Sequence, residues 1–179
     1  MTQRDEYLRL DRQICFSLNA ASRAFGGVYR VLLKGLGLTY PQYLVMLALW
    51  EADGAGLPVK RLGERLRLDS GTLSPLLKRL ETNGLVRRER SARDERSVVV
   101  TLTAAGVTLK ERAAEVPRAI GAATGFDLAE LDDLRSRLNR LTEALDSAEI
   151  QTLGGDIRTP GTADGGDIQT SGTTDGADI

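Results

Sequence analysis

Residues 59–102 read VKRLGERLRLDSGTLSPLLKRLETNGLVRRERSARDERSVVVTL, and this stretch decides the fold. Val59, Leu62 and Leu66 recur at spacings of three and four, which places them on one face of a short helix. Asp69 and Ser70 supply N-cap oxygens for a second helix, whose buried side carries Leu73, Leu76, Leu77 and Leu80. Asn83-Gly84 ends that helix, because glycine tolerates the left-handed conformation common at helix C-termini. Two short runs follow, residues 85–89 and 98–102, around a polar, highly charged turn at 90–97. Alternation in the first run and β-branched content in the second predict a two-stranded hairpin. Helix, turn, helix and hairpin make a winged helix-turn-helix, an architecture that binds DNA.

Charge points the same way. Between Lys60 and Arg96 stand eleven Lys or Arg and six Asp or Glu, an excess of five positive charges inside a chain whose total is −1. A phosphate backbone selects such a surface, since each neutralised phosphate releases counterions. A charge run by itself is usually a solvated face. Capping, helix length and an Arg-rich hairpin tip falling in register are what favour DNA.

Upstream, residues 5–36 read as one long helix. Cys15, Leu18, Ser22, Phe25 and Tyr29 step along a single stripe. Gly26-Gly27 within it cost about 1 kcal/mol each relative to Ala and leave open a bend or a close approach by another helix. Thr39-Tyr40-Pro41 starts the next helix, with Thr39 or Tyr40 near the cap and Pro41 in its first turn. Asp53-Gly54-Ala55-Gly56 is a turn. Downstream of the hairpin, a helix opens at Thr103 and runs to about Pro117, and a Leu stripe from Leu128 to Leu145 predicts an amphipathic helix that needs a partner surface. Helices over 5–36 and 103–147 thus flank the DNA-binding unit at 59–102 as a dimerisation region.

From residue 149 the character changes. GDIRTPGTADG is followed by GDIQTSGTTDG and ADI, rich in Gly, Thr and Asp, with six acids and one Arg over 149–179. Such composition cannot offset its ordering entropy by burial. The domain organisation expected is therefore a winged-helix body at 1–148, mainly α with a small β-hairpin, and a disordered acidic tail at 149–179.

The 179 residues contain one cysteine and no histidine. A lone cysteine makes no internal disulfide and suits a reducing cytoplasm. Without histidine, Ser-His-Asp and Cys-His nucleophilic sites and most zinc sites are excluded. No glycine-rich phosphate loop, signal peptide or membrane-length apolar run appears. An ordinary enzyme, a metal or a cofactor is not expected.

LDRQICFSLNAASRAF, LTYPQYLVMLALWE, LDSGTLSPLLKRLE, GLVRRERSARDERSV and LTAAGVTLK together resemble the MarR family of repressors, and within it the OhrR type that senses organic hydroperoxides. The likeness spans roughly residues 8–145. It implies that Cys15 is the peroxide-reactive sulfur, with Tyr29 and Tyr40 as its hydrogen-bond donors. It implies a recognition helix over 70–81, with Ser70, Gly71, Thr72 and Pro75 facing the major groove and Lys78 and Arg79 beside them. It also implies a wing-tip Arg96 that enters a minor groove, steadied by Asp94. Spacing alone reads Cys15 as a small buried hydrophobe, the two tyrosines as core and Arg96 as an ordinary charged turn residue.

Geometry adds a constraint of its own. Cys15 and Tyr29 lie fourteen residues apart, about 21 Å along an unbroken helix. They meet only if the helix breaks sharply, or if a two-fold dimer brings Tyr29 of one chain beside Cys15 of the other. Phe16, Leu18 and Phe25 would line such a site. The function expected is a homodimeric repressor on an inverted-repeat DNA operator, released when an organic hydroperoxide oxidises Cys15. With no second cysteine, the sulfenic acid ends as a mixed disulfide with a small thiol, a cyclic sulfenamide or an over-oxidised acid. An alternative is a repressor released by a small phenolic or anionic ligand, with Cys15 inert. A third reading, a thiol peroxidase, lacks both a thioredoxin-like strand–helix alternation and a resolving cysteine.

Overall fold

The computed structural model describes residues 6–90 and 97–148. After a single 3₁₀ turn at Leu10–Arg12, α1 spans Ile14–Lys34. The continuous helix expected over 5–36 is therefore interrupted before Ile14. The cause is local: Gln13 is extended, and its side-chain amide donates to the carbonyls of Tyr7 (2.6 Å) and Arg9 (3.1 Å). Those carbonyls would otherwise accept backbone N–H groups of a continuing helix. Gly26 and Gly27 leave α1 unbroken.

Helix α2, Tyr40–Glu51, is the centre of the core. Thr39 and Gln42 form a capping box, Pro41 sits in the first turn, and Gln42 accepts from the Thr39 N–H at 2.9 Å. Tyr43, Val45, Met46, Ala48, Leu49 and Trp50 are buried on several of its faces. A helix apolar all round must be surrounded. Helices α3 (Val59–Leu66) and α4 (Ser70–Thr82) pack beneath it through Leu62, Leu73, Leu77 and Leu80. The turn between them is tight. Arg67 adopts a left-handed φ of 54°, the Leu68 N–H reaches the Gly63 carbonyl at 2.9 Å, and a Cβ on Gly63 would stand 2.9 Å from the Leu68 carbonyl oxygen.

The wing holds more than a hairpin. Strands β2 (Val86–Arg90) and β3 (Val98–Leu102) pair antiparallel from Val86↔Leu102 to Arg90↔Val98. A two-residue strand, β1 (Leu57–Pro58), adds to the other side of β3, giving the order β1-β3-β2. Two residues carry no periodicity, so this strand was not expected. Proline belongs there only because β1 is an edge.

Helices α5 (Ala104–Ala113), α6 (Glu115–Thr124) and α7 (Leu128–Ser147) complete the described residues. Two compact units are distinguished, Met1–Leu131 and Asp132–Ile179. In the second, the described residues continue α7, with ion pairs Arg135–Asp132 and Arg137–Asp133 on its surface and Leu134, Leu138 and Leu145 exposed. The acidic repeat at 149–179 lies outside the described residues.

Candidate functional site

Helix α4 turns one side to the core and the other to solvent. Asp69 caps it, accepting from the Thr72 N–H and the Thr72 hydroxyl, each at 2.9 Å. These bonds, the backbone one foremost, hold the Asp69 carboxyl below its ordinary pKa and fix the entry of the helix. Ser70, Gly71, Thr72, Pro75, Lys78 and Arg79 are all exposed, whereas Leu73, Leu77 and Leu80 are buried. The residues singled out from sequence thus share the outer side of one helix, with the Thr72 hydroxyl already engaged by Asp69. Pro75 lies inside α4, where it has no N–H to offer the Gly71 carbonyl. Asp94 and Arg96 lie outside the described residues.

Cys15 is exposed in the first turn of α1, so it is not the buried hydrophobe that its spacing suggests. Ile14, Phe16, Leu18 and Phe25 are exposed with it. At the far end of the same helix the rings of Tyr29 and Tyr40 pack tilted at 40° with centroids 4.5 Å apart, and Tyr43 approaches Tyr29 at 6.0 Å. Burial, reinforced by the neighbouring phenols, raises the pKa of Tyr29, and burial likewise raises that of Tyr43. Both stay neutral O–H groups over the physiological range. The structure brings Tyr29 and Tyr40 together. It keeps both apart from Cys15 within the chain, because α1 runs without a break from one to the other.

Three contributors were given no role at the site by the sequence reading, which took Tyr43 and Trp50 only as apolar positions of their helix. Tyr43 joins the tyrosine pair, and its three-residue spacing from Tyr40 on a helix was the available signal. Trp50 donates its indole N–H to the Gly106 carbonyl at 2.9 Å, joining α2 to α5. Glu81 takes three hydrogen bonds from Arg88, joining α4 to the wing. No local pattern announces the last two, since each pair spans a change of element.

Residues 27–113 match the family model described as transcriptional regulator SarA/Rot. The chain is 50% identical over 153 residues to the HTH-type transcriptional regulator TtmR of Methylorubrum extorquens, covering 83% of this chain and 77% of that one. It is 46% identical over 145 residues to the organic hydroperoxide resistance transcriptional regulator of Bacillus subtilis, covering 81% of this chain and 97% of the relative. The chain belongs to the MarR family of transcriptional regulators. Among solved MarR-type structures, reduced AbfR bound to DNA superposes with a TM-score of 0.66 at 37% identity, covering 81% of this chain and all of that one. The MarR winged helix accounts for α2 to β3. Among the described residues of this MarR-type chain, no helix is long and apolar enough to cross a membrane.

Proposed function

We propose that the protein is a homodimeric DNA-binding repressor whose grip on its operator is released when organic hydroperoxides oxidise Cys15. The observation that carries this reading is the separation of an exposed Cys15 from the packed Tyr29–Tyr40 pair along one unbroken helix. Each protomer holds two halves of a site at opposite ends of α1, and a two-fold dimer that lays the α1 helices across each other joins them. The exposed apolar residues Ile14, Phe16, Leu18 and Phe25 supply the surface such a contact buries, at roughly 25 cal/mol per Å².

In the joined site the Cys15 thiolate attacks the terminal oxygen of a hydroperoxide. The S–O bond forms as the O–O bond breaks, the alcohol leaves with a proton, and Cys15 becomes a sulfenic acid. Phenolic O–H groups of Tyr29 and Tyr40 donate to the sulfur. The apolar surroundings favour fatty or aromatic hydroperoxides over hydrogen peroxide. With a single cysteine in the chain, the sulfenic acid has no internal resolving partner, and a small thiol is the next reactant.

On DNA, α4 lies in the major groove with Ser70, Gly71, Thr72 and Pro75 toward the bases and Lys78 and Arg79 toward phosphate. Arg96, supported by Asp94, reaches an adjacent minor groove. Two heads related by a two-fold axis select an inverted repeat with half-sites about one helical turn (~10 bp) apart. The test is operator binding before and after stoichiometric cumene hydroperoxide, with mass spectrometry of Cys15. Wild type releases DNA as Cys15 oxidises, and Cys15→Ser stays bound at the same dose. Release of Cys15→Ser by the peroxide would refute the sensor assignment.

One observation favours a second reading, in which Cys15 is inert and a small phenolic or anionic ligand is the inducer. A cleft of about 260 Å³ opens between α2 and the α5–α6 segment, lined by the apolar Tyr43, Leu47, Trp50, Ala113 and Pro117, with both Lys110 and Glu51 at its wall. Salicylate that releases the Cys15→Ser variant as well as wild type would favour this reading.

A further inference from the structure

The wing and α4 are fastened to each other by a contact away from the residues assigned to DNA. Glu81, in the last turn of α4, accepts the Arg88 backbone N–H on Oε1 at 3.1 Å. Its Oε2 accepts Nε and Nη2 of the same arginine at 2.9 and 2.6 Å. One carboxylate therefore receives three bonds from one residue, the two guanidinium bonds converging on Oε2 and the backbone bond on Oε1. Strand β2 is an edge of the sheet, and the carboxylate covers an N–H that the edge leaves open. The arginine before it in sequence behaves differently: Arg87 binds Thr101 across the hairpin and Glu89 along it, staying within the wing.

The clamp stands beside a short root that is itself bonded, the Leu85 N–H to the Leu80 carbonyl and the Thr103 hydroxyl to the Gly84 carbonyl, and it adds a side-chain restraint farther out along the wing. Between α4 and β2 the chain passes only Asn83, Gly84 at φ +70°, and Leu85. From there the strand advances roughly 3.3 Å per residue, so a small tilt at the root grows into a large displacement at the wing tip. Both side chains are about one-third exposed (34% and 35%), and pairs so placed contribute little to global stability. What the contact fixes is an angle.

We propose that Glu81 is a positioning residue: its clamp on Arg88 sets the angle between α4 and the wing, and that angle determines how well the protein discriminates its operator from other DNA. The inference rests on the DNA-binding reading. A helix in the major groove and a wing in the adjacent minor groove seat together on the correct duplex only if their relative orientation is held in advance. A loose wing still meets phosphates anywhere, so non-specific affinity survives its loosening.

The full-length wild-type protein first selects a duplex from a random pool, and binding to that duplex and to a scrambled one of equal composition is then measured across salt concentrations. Glu81→Ala is expected to lose about tenfold in the ratio of the two affinities, the scale of one base pair of readout. Its melting temperature and its affinity for scrambled DNA should stay at wild-type values. Glu81→Gln keeps an acceptor for the Arg88 N–H and should retain part of the discrimination. A wild-type ratio in Glu81→Ala would overturn the proposal. So would an early-melting Glu81→Ala that loses both duplexes in proportion, since the role would then be structural. An Arg88→Ala variant that weakens both duplexes equally with a shallower salt slope would instead make Arg88 a phosphate contact and also overturn it. If wild type selects no duplex, the DNA-binding reading falls and the clamp's role falls with it. Selection by wild type with unchanged discrimination in Glu81→Ala removes the clamp alone.

Discussion

Trp50 and Gly106, fifty-six residues apart, are joined by a 2.9 Å hydrogen bond from the indole N–H to the glycine carbonyl. The same glycine lies so close to the α4–β2 turn that a Cβ there would stand 2.1 Å from the Leu85 carbonyl oxygen. Thr103 closes this junction, donating its hydroxyl to the Gly84 carbonyl at 2.6 Å and accepting from the Gly106 N–H at 3.1 Å. Here α2, α5 and the root of the wing meet in one place.

Gly106→Ala should therefore destabilise the fold by about 3 kcal/mol, because a backbone oxygen cannot rotate out of the way as a side chain can. Trp50→Phe removes the donor but keeps most of the ring, and should lose about 1 kcal/mol. Urea unfolding of both variants checks the order. A Gly106→Ala as stable as wild type would show that α5 has room to move.

The dimer geometry makes a numerical prediction. If Cys15 of one α1 lies opposite Tyr29 of the other, the two-fold axis passes near the residue midway between them, Ser22, which is exposed. In a Cys15→Ser background, Ser22→Cys should form a disulfide-linked dimer under mild oxidation, since helices crossing 8–10 Å apart bring facing Cα atoms within disulfide range. Arg23→Cys, turned about 100° away around the helix, should stay monomeric on a non-reducing gel. The reverse result would relocate the axis.

Pro75 sets stability against recognition. Inside α4 it deletes one helical hydrogen bond, so Pro75→Ala should raise stability by roughly 1–3 kcal/mol. The same change removes an apolar ring from the side of α4 assigned to the bases. Operator affinity should fall while the melting temperature rises. A fall in both would show that the proline ring packs for structure.

The cap at Asp69 carries a pH signature. Its folded-state pKa lies below the ordinary carboxylate value, chiefly through the Thr72 N–H and then the Thr72 hydroxyl. Its contribution to stability is thus fully present above the unfolded-state pKa and disappears as pH falls through the lowered folded value. Asp69→Asn, which still caps but does not titrate there, should flatten that part of the acid limb of the stability profile. Thermal melts from neutral pH down through the carboxylate range would show it, and superimposable profiles would mean that the cap is not formed in solution.

Much of this architecture was legible because its signals are local. The cap at Asp69, the helix start at Thr39-Tyr40-Pro41, the stop at Asn83-Gly84 and the β-branched run at 98–102 each act over a few residues. Strand β1 was missed because Leu57–Pro58 gains its identity only from β3 across the sheet. The break before α1 turned on one glutamine side chain competing for carbonyls, a contest that periodicity does not register. Trp50–Gly106 and Glu81–Arg88 depend on how elements dock. The sequence placed Cys15 and Tyr29 on one stripe, and only the continuity of α1 in three dimensions shows that their distance persists.

That continuity has a genetic consequence. If each sensing pocket takes its sulfur from one chain and its phenols from the other, two defective alleles can repair one another. Cys15→Ser contributes intact tyrosines, while a chain carrying both Tyr29→Phe and Tyr40→Phe contributes an intact sulfur. Co-expressed, they form a mixed dimer with one complete pocket and one doubly impaired pocket. Peroxide responsiveness should then reappear at partial strength in a cell where neither allele alone gives a normal response. Intragenic complementation of this kind distinguishes a shared pocket from one confined to a single chain.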